Sequence, residues 1–386
     1  NPLVFHNRSF TFLPFHSETI PYEIYNTGNP DRDYATLFTS DDLTDNKEVI
    51  LFRKYVAGLL GHRLCGYLVA SGNGATKDFV DDFLCIEPDG SAKPVALSET
   101  FNDDEYENVL DNRDPRLTQI VLDPRHSKEI LYNKDKFIFP RVAGMTGWES
   151  ATGYHVIKYS LDDTKYDNNA KNNNSIPLLR YAEVLLNYAE AKAELGTLTQ
   201  NDLVITVNEI RSRVGMRGLD MNEAKKNIDW YLESKEYGYP NVTGANKGVI
   251  LEIRRERAVE LIQEGFRLQD LYRWKAGYCI DQAISGMYFP GPGEYKLAGK
   301  ETADLILYAA GSTKPQGGEG VSVYELGSDI ILSEGNKGYV YYHKTVENLR
   351  TPFNEERDYL YPIPSGERSL NPNLTQNPGW SDGLDF

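Results

Sequence analysis

Cysteine is scarce in this sequence: Cys65, Cys85 and Cys279 are odd in number and far apart in 386 residues. No CxxC occurs, which excludes zinc ribbons and thioredoxin-type redox pairs, and the three are expected as buried free thiols. No apolar run approaches the ~18 residues of a membrane-spanning helix. The first residues, NPLVFHNRSF, have neither the basic start nor the apolar core of a signal peptide, so the sequence is expected to begin inside a longer protein. Positive charge is in deficit: 41 Lys and Arg stand against 57 Asp and Glu, a net charge of −16. That balance argues against nucleic acid, which needs a local surplus of Lys and Arg. The single basic cluster, at 254–257, falls in a helical pattern. Catalytic signatures are missing too, with no GxSxG, HExxH or P-loop. Six histidines (His6, His16, His62, His126, His155, His343) are scattered singly, with no i,i+4 pair for a metal. The adjacent pairs Asp81/Asp82, Asp103/Asp104 and Asp162/Asp163 read as solvated loop and cap residues. A glycosidase needs two carboxylates facing each other across a cleft.

What is abundant is tyrosine: 26 of them, with 15 Phe and 4 Trp, bring aromatics to 12%. Such rings either line a large helical core or present amphipathic faces at a binding surface. Three regions follow from punctuation and periodicity. Residues 1–175 are loop-rich, with short strands and helices, and form the expected ligand-binding region; Asn46-KEVILFRKYVAGL contains a buried strand, and Gly72-NGATKDFVDDF a turn leading into a short helix. Residues 176–280 are helical. Ile176-PLLRYAEVLLNYAEAKAELG has proline in its expected first turn and Gly196 as its stop. Leu178, Ala182, Leu185, Ala189 and Ala193 form one stripe; Val184, Leu186, Tyr188 and Ala191 form a second, so packing on more than one side is expected. Asp202-LVITVNEIRSRVG completes a helical hairpin. Val249-ILEIRRERAVELIQEGFRLQDLYRWKAG follows, with Glu252/Arg255, Glu264/Arg267 and Asp270/Arg273 spaced to pair. Residues 281–386 read as irregular and end in an extended strap, Tyr359-LYPIPSGERSLNPNLTQNPGW, whose prolines exclude helix.

Three of these stretches, taken in order, carry a resemblance. Pro177-LLRYAEVLLNYAEA, Ile253-RRERAVELIQEGFRLQDLYRW and the tail from Tyr359 to Trp380 resemble SusD/RagB proteins, surface-exposed outer-membrane lipoproteins of Bacteroidetes-type bacteria that bind nutrients, usually glycans. Asn46-KEVI and Val207-NEIRSRVG fit the same pattern. The resemblance implies a mainly α fold of tetratricopeptide-like helical hairpins with a large loop-rich irregular subdomain. It further implies no catalysis, no cofactor, and a SusC-like TonB-dependent transporter as partner. Membrane attachment would come only through an N-terminal lipid anchor not present in this chain. The tail is then a structural strap with Trp380 plugged against the body, and Arg180, Glu183 and Glu190 are buried or hairpin-bridging groups.

A sugar offers apolar C–H faces and a rim of hydroxyls, so its site needs exposed rings beside planar polar side chains. Pro140-RVAGMTGWESATGYH supplies Arg141, Trp148, Tyr154 and His155, and His62-RLCGYLVASGNG supplies Tyr67 and Asn73. Tyr288 and Phe289 are lesser candidates, and Trp230 and Trp274 are assigned to packing. A peptide ligand, a secreted glycoside hydrolase with dispersed carboxylates and a helical-repeat scaffold are the alternatives. No EF-hand-like acidic spacing supports calcium, and the sequence leaves a loop-bound metal open.

Overall fold

The structure is a computed structural model that describes residues 11–12, 21–64, 74–125, 150–166, 171–296, 300–342, 352–371 and 373–381. The first elements are β1 (Thr11–Phe12), α1 (Asp33–Thr39), β2 (Val49–Arg53), α2 (Lys77–Asp81), β3 (Cys85–Ile86), β4 (Ala92–Lys93), α3 (Tyr106–Leu110) and α4 (Arg116–Ile120). Then come β5 (Ile176–Arg180), α5 (Tyr181–Glu194), α6 (Gln200–Val204), α7 (Val207–Arg213), α8 (Met221–Lys226), α9 (Trp230–Glu233), α10 (Lys247–Glu260) and α11 (Arg267–Arg273). The last third holds β6 (Ser285–Phe289), β7 (Gly293–Tyr295), β8 (Leu305–Tyr308), β9 (Ser322–Glu325), β10 (Ile331–Leu332), β11 (Gly338–Tyr341) and α12 (Ser365–Leu370). The architecture is mainly α, with helical hairpins and a large loop-rich region carrying small sheets.

Two hydrophobic cores form. One gathers Phe38, Phe52, Phe83, Leu117, Ile120, Tyr154 and Phe289, and the other gathers Ala182, Leu186, Ala189, Ile210, Val249, Ile253, Leu271 and Trp274. Helix α10 joins them: Val249 to Ile253 belong to the second core and Val259 to the first, and every α10 residue after Lys247 is buried. A helix buried all round must satisfy its charges internally. The expected Glu252/Arg255 and Asp270/Arg273 pairs form, at 3.3 and 2.9 Å. Arg257 pairs with Asp270 at 2.7 Å, and the Arg257 guanidinium also donates to Asn187 of α5. Arg254, Arg255 and Arg257 are all structural.

Several expectations are corrected. Ile176–Arg180 is a strand, not the first turn of a helix. Pro177 is tolerated because β5 is an edge of the β1-β2-β5 sheet, and Arg180 is held extended (φ −139°, ψ 158°) by buried carboxylates. Helix α5 therefore starts at Tyr181, ends at Glu194 and is closed by Gly196, whose φ of +71° lets Thr197 N–H reach Lys192 C=O in a Schellman turn. Its second stripe packs only in part among the described residues: Leu186 is fully buried in the second core, whereas Val184 and Tyr188 are 42% and 44% exposed. The long helical block from Val249 breaks between α10 and α11, with Gln263 and Gly265 both at positive φ. This turns Glu264 inward to Arg180 and Lys158, each at 2.7 Å, so the expected Glu264/Arg267 pair is not made. The C-terminal region contains two three-stranded sheets, β10-β11-β6 and β7-β8-β9, rather than irregular chain throughout. In the strap, Pro364 precedes α12 instead of interrupting it. Trp380 does not plug the body: its indole N–H donates to Leu360 C=O within the strap, and Arg357 covers its ring at 4.6 Å. The attachment to the body is made by Tyr359, whose hydroxyl accepts from Gly277 N–H and whose ring meets Tyr272 and Phe353.

The two cores are tied by a buried ionic network. Arg180 meets Glu48 at 2.9 Å, Glu260 at 2.5 Å and Glu264 at 2.7 Å; Arg213 meets Glu48 at 3.1 Å and Glu260 at 2.6 Å. Arg116 reaches Asp114, Glu256 and Glu260 at 2.6–2.8 Å, and Arg211 reaches Glu256 at 2.8 Å. Burial alone would raise the carboxyl pKa values, but the facing cations outweigh it and hold Glu256, Glu260 and Glu264 below their usual range. The stability they contribute is in place above the unfolded value of ~4.3 and is lost as pH falls through the folded values. Breaking such a network by removing one partner costs about 3–5 kcal/mol. Glu260→Gln is predicted to lower the unfolding free energy by that amount in urea titration, whereas a loss under ~1 kcal/mol, the range of exposed pairs, would contradict this role.

Candidate functional site

Where the two cores meet, a cavity of about 370 Å³ opens between α2, the α9 turn and the α10–α11 link. Ala75 and Val156 come from the first core and Leu232, Tyr239 and Leu271 from the second. Helix α2 is started by Thr76, whose hydroxyl accepts from Phe79 N–H at 3.2 Å. Its register places Asp78 and Asp82, four residues apart, on the side that lines the cavity. Helix α9 is started by Asp229, which accepts from Tyr231 N–H at 2.9 Å. The Tyr231 hydroxyl donates to Asp78 Oδ1 at 2.7 Å, and its ring stacks on Tyr237, centroids 5.0 Å apart and planes 9° from parallel. The intervening chain can turn this tightly because position 238 is glycine: a Cβ there would lie 2.2 Å from Leu232 O. Trp230 sits edge-on to Tyr231, and Tyr237 forms part of the cavity's half-open rim.

The charged lining is Asp78, Asp82 and Arg267 among the described residues. Arg267 donates from Nη1 to the Tyr239 hydroxyl at 2.8 Å. Asp82 is 8% exposed, and its nearest cation is Arg255, at 3.9 Å. Arg255 is itself held by Asp229 at 2.5 Å and Glu252 at 3.3 Å. Burial pushes the Asp82 carboxyl up to about 6 despite Arg255 and Arg267, and burial also raises Asp78 against the Tyr231 hydrogen bond. Burial pushes the Cys279 thiol up to about 11, and it donates to Gly238 O at 3.4 Å, so it stays a protonated wall group. The cavity thus offers ring faces, a carboxylate acceptor and a guanidinium donor. Two further cavities are larger, at about 430 and 720 Å³. In the first, Arg211 and Arg217 are already answered by Glu256 and Glu223; in the second, Lys158 is held by Tyr34, Ile262 and Glu264.

Of the residues proposed from sequence, Arg141, Trp148, Tyr67 and Asn73 lie outside the described residues. Tyr154 and His155 are described and are buried, at 2% and 0% exposure, so the structure places them in the core rather than facing a ligand. Tyr154 stacks on Tyr106 at 5.8 Å, and among the described residues neither ring nitrogen of His155 has a hydrogen-bond partner. Phe289 is core, and Tyr288 is half-buried against Tyr339. Trp274 packs as expected, its indole donating to Glu190, but Trp230 is 60% exposed beside the cavity. Asp82 is a buried cavity group and not a solvated cap. Sequence reasoning missed Tyr231, Tyr237, Asp78, Asp82 and Arg267. The available signal was Trp230-YLESKEYGY, four aromatics in ten residues closing on a glycine turn. Cys85 and Cys279 are free thiols. Among the described residues no group of three or more His, Cys, Asp or Glu is placed to hold a metal, and no helix is long and apolar enough to cross a membrane.

This helical scaffold with loop-rich flanks is the architecture of the SusD-like proteins. The SusD family profile matches residues 24–380, and the chain belongs to that family. Among solved structures it is similar to a SusD-like carbohydrate binding protein from Bacteroides fragilis NCTC 9343, at 21% identity and a TM-score of 0.58, covering 92% of this chain and 58% of that one. A second SusD-like protein from the same organism matches at 20% identity and a TM-score of 0.52, covering 94% of this chain and 59% of that one. The chain therefore spans less than two thirds of the length of these relatives. No curated protein sequence matches it.

Burial drops the His155 pKa to about 4 from 6.5, so the ring is neutral in the fold while the unfolded chain takes up a proton first. Stability is then full above pH ~6.5 and lost as pH falls toward the folded value, by up to about 3 kcal/mol. His155→Leu is predicted to flatten the stability–pH curve between pH 6.5 and 4 in urea unfolding; a slope parallel to wild type would contradict it.

Proposed function

We propose that this chain binds oligosaccharide or polysaccharide at the bacterial cell surface and passes it to a SusC-like TonB-dependent outer-membrane transporter, without chemistry of its own. Family membership supports the nutrient-binding role, and the carbohydrate-binding designation of a fold neighbour points the same way. The observation that carries the reading is the stacked Tyr231–Tyr237 pair beside Asp82 and Arg267 in the cavity between the cores. Ring faces cover the C–H side of a pyranose, while a carboxylate and a guanidinium hold its hydroxyls. Arg141, Trp148, Tyr67 and Asn73 are kept as proposed ligand contacts on the sequence alone. Anchoring to the outer membrane by lipid and docking to the transporter are part of the proposal and rest on the family resemblance alone.

Asp78 and Asp82 project from one short helix on the same side, where a hydrolase sets its carboxylates on opposite sides of the scissile bond. Binding without turnover is therefore the expected behaviour. Calorimetry against a panel of soluble oligosaccharides is predicted to find a ligand whose binding weakens by about 1–3 kcal/mol in Tyr237→Ala, the value of a buried aromatic face. Heat from a tryptic peptide mixture with none from glycans would favour a peptide-binding role. Release of reducing ends would contradict the non-catalytic reading.

A further inference from the structure

Among the described residues, the ionic lining of the cavity between the cores carries two carboxylates and one guanidinium. Asp78 and Asp82 line it together with Arg267, whose Nη1 is committed to the Tyr239 hydroxyl. Arg255, the nearest cation to Asp82, is bound by Asp229 and Glu252. Asp78 has a donor in Tyr231. The Asp82 side chain lines the cavity at 11% exposure, and among the described residues its carboxylate accepts no hydrogen bond. A buried carboxylate without a donor is costly unless something else supplies one, and the cavity it faces is of the size that holds small ligands, about 300–1,000 Å³.

We propose that this cavity takes an uncharged segment of glycan, with sugar hydroxyls donating to Asp82 and accepting from Arg267, and that Asp78 and Asp82 select against glycans bearing uronate or sulfate. The inference rests on the glycan-binding reading and names its substrate class. A uronate or sulfate group in the cavity would stand beside two carboxylates in a low-dielectric enclosure, where like charges repel strongly. Its approach is opposed as well by the net charge of −16. A neutral sugar meets neither barrier. It supplies the donor Asp82 lacks, and its C–H face lies against the Tyr231–Tyr237 pair.

The test is an array of neutral oligosaccharides printed beside uronate-bearing and sulfated ones, probed with the full 386-residue chain, Asp82→Asn and Tyr237→Ala. Wild type is expected to retain at least one neutral glycan tenfold or more above any acidic one. Asp82→Asn is expected to lose tenfold or more on that glycan. Tyr237, on the half-exposed rim, carries the decision if Asp82→Asn fails to fold as judged by circular dichroism. Preference for a uronate or sulfated glycan overturns the inference and leaves the glycan-binding reading standing. Equal binding of a neutral glycan by wild type and the folded variants overturns it in the same way. Retention of no glycan overturns the binding reading, and the inference with it.

Discussion

Five buried cations and five buried carboxylates hold this fold in one arrangement. Arg116, Lys158, Arg180, Arg211 and Arg213 face Glu48, Asp114, Glu256, Glu260 and Glu264 with side-chain exposures of 6% or less. The cluster is electrically balanced, so the net charge of −16 is carried by the rest of the chain. Balance is a requirement here, because an uncompensated charge at this depth costs several kcal/mol. The partners come from the turn before β2, the end of β5, α4, α7, α10 and the loop at Lys158. None of these elements can shift without stranding a charge. The network is therefore what fixes the helical hairpins against the loop-rich region.

The cavity between the cores is a consequence of that fixing. Glu264 must reach Arg180 and Lys158, so the chain leaves α10 through two residues at positive φ before α11 begins. That detour ends at Arg267, which consequently points at Tyr239 and the cavity instead of pairing along a helix. On the other wall, α2 belongs to the loop-rich region through Val80 and Phe83, both fully buried in the first core. Asp78 and Asp82 are carried on the cavity side of the same helix. Donor and acceptor thus face each other because separate cores hold them, and the stacked tyrosines close the rim between.

Much of the helical region is legible in the sequence. Gly196 stops α5, the buried strand sits within Asn46-KEVILFRKYVAGL, the short helix α2 lies within Gly72-NGATKDFVDDF, and two of three charge pairs form as spaced. Local pattern fails where a long-range partner overrides it. Ile176–Arg180 has a helix-start pattern but is drawn into a strand by Glu48 and Glu260. Glu264 is spaced for Arg267 but taken by Arg180. The short C-terminal strands, two to five residues each, are half-buried and carry too little alternation to be read. The candidate site was harder still, because its residues come from segments 74–82, 229–239 and 263–284, whose contact is set by the network and not by any local motif. Tyr154 and His155 show the converse. A Gly/Ser/Thr setting suggested a surface loop, yet Tyr154 fills the first core and His155 is fully buried.

The most direct test of the account is hydrogen–deuterium exchange with and without a saturating glycan. If the ligand sits between the cores, protection will appear together at 74–82, 231–239 and 263–267, three segments remote in sequence. Protection confined to other segments, with these three unchanged, would contradict the claim that the junction built by the buried network is the binding site.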